Sequence, residues 1–269
     1  MFRRIIIPIS MIAAGILGAV LRTICLNRSY EPEVALFRDS SAGTALAVLS
    51  CVVVAVSLVY AFTGPKTTWS NDGGHSYGGR TPMLAAGLLI FLAGLFFFFF
   101  SLVSFEFAGI VSGVLACLSG LAMLGLARII PGRANEISQI FIIGPVFWSC
   151  FLLLMEYRVE TVNPEIGMFI YRVLAIICAV TMFFQTAACF VRNGRISRLT
   201  AASWSAVYFT IIVLFADLPY FLVGILADSD YGRLASYVYL AGIFLFSLGI
   251  MMLYALRGSK KQNSRQLGG

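Results

Sequence analysis

Charge and histidine are the scarcest features of this chain. Only 12% of its 269 residues are charged, about half the share of a soluble domain. Histidine occurs once, at His75. A His/Ser dyad at membrane depth, an HExxH zinc helix and a multi-histidine metal or haem site are therefore excluded. The six cysteines form no CxxC or Cys/His spacing. Five fall in apolar runs, where a thiol behaves as a small hydrophobe, so neither a disulfide framework nor a metal site is expected. No GxxxxGK[ST] loop is present to cradle a phosphate. Only one aspartate, Asp217, lies inside an apolar run, which argues against a two-aspartate intramembrane protease. We expect no enzyme, no catalytic residues and no cofactor.

Apolar sequence is what the chain has in excess. Hydrophobic residues make up 60% of it and the mean hydropathy is +0.93. The excess is gathered in long runs, which predicts an all-α polytopic integral membrane protein. The alternating pattern of an outer-membrane barrel is absent from stretches such as 95–100. A bilayer core takes roughly 20 helical residues to cross. On that scale eight spans are expected, at about 5–21, 43–62, 83–105, 108–127, 139–155, 167–191, 201–226 and 234–256. A basic tail, 257–269, follows, and the whole chain reads as one transmembrane bundle. Span 1 has the basic start of a signal peptide but no clean small-x-small site after it, so it reads as retained.

The net charge of +7 is explained by its distribution and does not point to nucleic acid. With the N-terminus inside, the inner segments collect 13 of the 19 basic residues, among them Arg3, Arg4, Arg128, Arg192, Arg195, Arg198, Lys260 and Lys261. Asp72 and Glu136 are the only acids on that side. The positive-inside rule then predicts both termini in the cytoplasm of a cell (plasma or inner) membrane. Arg192, Arg195, Arg198 and the tail should favour anionic lipid headgroups at that face. The loop 64–81, with Trp69, His75 and Tyr77, reads as a glycine-rich linker. Two similar pairs of segments, around Pro8 and Pro145 and around Pro32 and Pro164, point to a parallel 4+4 internal repeat.

One stretch is chemically uncomfortable. Asp217 precedes Pro219 by two residues inside an apolar run. A carboxylate there must be neutral, paired or wet, and the proline leaves the Phe215 carbonyl without its helical donor. Counting about 1.5 Å per residue from the inner end of span 7 puts Asp217 roughly 24 Å deep, in the outer half. Tyr171, Arg172, Glu106 and Glu156 gather at similar depth. The candidate binding residues are Asp217, Arg172, Pro219, Tyr220, Tyr171 and Glu106. An Arg172–Asp217 strut is the structural alternative. Gly109, Gly113, Ala116 and Gly120 in span 4 stand at helical spacing and suit close helix packing, either inside the bundle or against a second copy or membrane partner. The Phe96–Phe100 run reads as facing lipid or neighbouring spans. The leading functional expectation is a small-solute or ion transporter, or its membrane subunit. The alternative is a non-transporting membrane sensor, assembly or scaffold partner.

Overall fold

A computed structural model describes residues 2–31, 36–37, 41–65, 80–128, 136–160, 166–190, 194–220, 222 and 231–266. His75, Trp69, Tyr77, Arg133 and Arg192 lie outside them. The described chain is helical apart from two short antiparallel strands, β1 (Tyr30–Glu31) and β2 (Leu36–Phe37). The helices are α1 (Phe2–Ser29), α2 (Ser41–Thr63), α3 (Arg80–Val103), α4 (Phe107–Arg128), α5 (Glu136–Glu160), α6 (Ile166–Phe190), α7 (Ile196–Ile212) and α8 (Tyr231–Gln266). α7 continues without a break into a π-helical turn, Val213–Asp217.

Seven of these segments are long and apolar enough to cross a membrane: Ile6–Arg28, Ser41–Thr63, Arg80–Val103, Phe107–Ala127, Phe169–Cys189, Ile196–Tyr220 and Ser236–Tyr254. The protein is a multi-pass integral membrane protein in contact with the lipid bilayer. α5, of 25 residues, packs between α4 and α6. Spans of this length must satisfy their backbone internally, which a helix does. The hydroxyls follow the same rule. Ser50, Ser119, Ser149, Ser203, Thr186, Thr200 and Thr210 each donate to a carbonyl four residues back in their own helix. Serine is thereby made compatible with hydrocarbon surroundings at little cost.

α7 is the hub. It packs on α1, α2, α6 and α8, and every residue from Ile196 to Ile212 except Arg198 is buried. Over the best window of the Ile196–Tyr220 segment 83% of residues are buried, against 28% for α3 and 17% for α2. The outer helices therefore turn their apolar side chains outward: Val56, Val59, Phe62, Leu92, Phe96 and Phe99 are all exposed. Counting four spans per half, α3 would be the counterpart of α7 in a repeat. α3 packs on α4 and α8, so the two halves use their third helices differently.

α3 and α4 form a close hairpin. Its turn places Phe105 at φ 53°, the left-handed region, with the ring exposed. The small-residue face of α4 lies against α3. A Cβ on Gly113 would stand 2.6 Å from the Phe98 nitrogen, and one on Gly120 would stand 2.5 Å from the Phe91 nitrogen. Ala116 is buried against Gly94, and the half-buried Gly109 lies against Ser101. The face considered for a homodimer is thus occupied within the chain. Gly113→Leu or Gly120→Leu should drive the hairpin apart and cost about 3 kcal/mol or more, since the obstacle is backbone. Gly125→Ala, with nothing within 4 Å of the added Cβ, should instead gain about 0.5–1 kcal/mol from helix propensity. Unfolding midpoints of the three variants in detergent check both signs.

Candidate functional site

The site is a layer of paired charges. Arg22 sits seven residues before the end of α1, within a span that runs on to Arg28. Its Nε lies 2.9 Å from Asp217 Oδ1, and both side chains are buried. The guanidinium also stands over the Tyr171 ring, 5.0 Å from its centroid, which adds a cation–π contact in a desolvated place. The next residue on α6, Arg172, pairs with Glu156 of α5 at 2.9 Å, again with both side chains buried. The other Glu156 oxygen accepts the Ser236 hydroxyl of α8, and Arg172 stands 5.9 Å from the Tyr237 ring centroid. Two arginine–carboxylate pairs are therefore held side by side by α1, α5, α6, α8 and the π turn, linked through the consecutive α6 residues Tyr171 and Arg172.

The local fold explains the position of Asp217. Pro219 has no N–H, and its ring would press on the carbonyl four residues earlier in a regular helix. The helix widens instead. The Leu218 N–H donates to Val213 O, five residues back. This is the π pattern, which is rare and often found at functional places. Asp217 faces inward, whereas Pro219 and Tyr220 are exposed.

The expected partner of Asp217 is corrected. It is Arg22, not Arg172, because α1 packs directly on the π turn and Arg172 is already engaged by Glu156. Of the candidate residues, Asp217, Tyr171 and Arg172 come together. Glu106 is exposed at the α3–α4 turn, where its N–H donates to Ser101 O and its C=O accepts from the Ile110 N–H. Sequence reasoning missed Arg22, Ser236 and Tyr237. The available signal for Arg22 was the apolar run Thr23-Ile24-Cys25-Leu26 that continues beyond it. Below the charge layer, Ser50 of α2 bonds the Tyr208 hydroxyl of α7 at 2.9 Å. Among the described residues no group of three or more His, Cys, Asp or Glu is arranged to hold a metal.

Comparison with protein-family models, with curated proteins and with solved structures gave no match, so the site is read from its own chemistry. A buried pair is harmed far more by losing one partner than by losing both. Asp217→Leu and Arg22→Met alone should each destabilise the protein by about 3–5 kcal/mol. The double variant should recover most of that loss. A double-mutant cycle on denaturation midpoints in detergent measures the coupling, and additive losses would show that the pair is not formed.

Proposed function

We propose that the protein is a small-solute or ion transporter with the double ion-pair layer as its gate. The observation that carries this reading is that Tyr171 and Arg172, consecutive on α6, touch both buried pairs. One layer of charge thereby ties five segments of the bundle together. Separating either pair exposes an uncompensated charge, at about 3–5 kcal/mol. A proton or cation arriving at Asp217 or Glu156, or an anionic group arriving at an arginine, offsets that cost. Such a ligand shifts the balance only by binding the separated state better.

The wider reading places eight spans in a plasma or inner membrane with both termini cytoplasmic. Its support is the basic bias of alternate loops. On that topology the charge layer lies in the outer half. The parallel 4+4 repeat has as support that the first helix of each half carries an internal proline, Pro8 in α1 and Pro145 in α5. A non-transporting sensor, assembly or scaffold role is the second reading. The observation that favours it is that the four charges balance one another and need no solute.

Two measurements test these readings. Reporters fused after Ser259 and within 156–165 should report opposite sides of the membrane, and the same side would remove the eight-span topology. A thermal-shift screen of the purified protein against ions, amino acids, nucleosides and vitamins, repeated at several pH values, should find a stabilising ligand. At a hundred times its Kd the gain is about 2.7 kcal/mol. That gain should vanish in a folded Asp217→Asn variant. A ligand response unchanged in this variant, or none in the wild type, favours the second reading.

A further inference from the structure

A groove of about 590 Å³ lies between α2 and α6, with α7 as its floor. It is at the opposite end of α7 from the charge layer. Leu58 and Phe62 of α2 form one wall and Ile177 of α6 the other. All three are exposed, so the groove opens sideways, towards the acyl chains of the bilayer. Ala201, Ala202 and Ser205 make a floor of small residues. At the mouth stands Arg198, the one exposed residue of α7, with Gln185 of α6. No acid is among the lining residues.

Ser57 is the informative residue. It lines the groove, is only 4% exposed, and its Oγ has no hydrogen-bond partner. The serines at 50, 119, 149 and 203 satisfy themselves on their own helix. Ser57 does not, although Val53 O is available four residues back. A buried hydroxyl left unmade is costly, and such groups call for an explanation. Ser57 is five residues before Phe62, thus about 7–8 Å deeper than the mouth along the helix.

We propose that this groove is a binding site for one anionic phospholipid. The phosphate sits on Arg198, one acyl chain lies along Leu58, Phe62 and Ile177, and Ser57 donates to the ester carbonyl below the headgroup. The sideways opening selects a ligand that arrives through the membrane. Arg198, the one cation among the described lining residues, selects its charge. The depth of Ser57 selects an ester, which a free fatty acid with its carboxylate on Arg198 would lack.

The test is native mass spectrometry of the full chain from mixed micelles. The probes are phosphatidylglycerol, phosphatidylcholine of matched chains, and oleate. The wild type should retain one phosphatidylglycerol with about fivefold or greater preference over phosphatidylcholine, the effect of one arginine near the surface. Arg198→Gln should abolish the preference. Arg195→Gln, one turn away and outside the groove but cationic at the same face, should reduce it less than Arg198→Gln does. Ser57→Ala should weaken retention of both phospholipids several-fold, as loss of one hydrogen bond does, without affecting oleate. The proposal is overturned if the wild type shows no preference or retains oleate equally well. It is also overturned if Arg195→Gln acts as strongly as Arg198→Gln, or if Ser57→Ala changes nothing. The wild-type comparison decides the headgroup even if a variant fails to fold.

Discussion

Burying four charges inside an apolar helical bundle is the constraint from which most of this architecture follows. An isolated charge at membrane depth costs several kcal/mol or loses its charge. Arg22 and Arg172 avoid that by meeting Asp217 and Glu156 at 2.9 Å. Each pair can form only if two helices approach at a fixed rotation. The pairs therefore determine which helices are neighbours: α1 beside the end of α7, and α5 beside α6. Such pairs contribute more to specifying the arrangement than to its stability, because desolvation consumes much of the Coulomb attraction.

The rest of the bundle keeps polar chemistry out of lipid by two means. One is burial at the hub, where α7 brings Ser197, Thr200, Ser203, Ser205 and Thr210 into the interior. The other is self-satisfaction, in which hydroxyls bond their own helix. α2 and α3 have the smallest buried shares of the seven candidate spans and so leave the most surface to lipid. Among the described residues α7 is both the most buried candidate span and the helix that buries the most hydroxyl groups. Function is accordingly sought on α7 and its neighbours.

Much of this was legible in the sequence, because length and composition alone reveal a helix that must cross hydrocarbon. Seven such segments are present. The chemical discomfort of Asp217 beside Pro219 was also legible, and so was the gathering of Tyr171, Arg172 and Glu156 at its depth. The partner was not. Depth along a helix is one coordinate, read by counting residues, whereas pairing also needs rotation about each helix and the identity of the neighbour. Arg172 and Arg22 lie in the same layer, and only packing distinguishes them. Arg22 was further obscured because an arginine after an apolar run looks like an interface anchor. Glu106 illustrates the opposite error, for it shares the depth but is exposed on the α3–α4 hairpin.

The π turn is the local device that reconciles the hub with the charge layer. α1 and α7 run side by side in the same direction: Gly15 receives Ile211, Gly18 receives Ile212, and Arg22 meets Asp217. The Val213–Asp217 turn is wider than an α-helix, so it changes which way the residues beyond it face. The Leu218-to-Val213 hydrogen bond closes the wider ring, and Pro219, which has no N–H to place, relieves the helix of one bond it would otherwise break. Phe215 is left facing outward and Asp217 inward. The proline and the aspartate thus belong to one feature, in which a helix irregularity carries a carboxylate to the arginine that neutralises it.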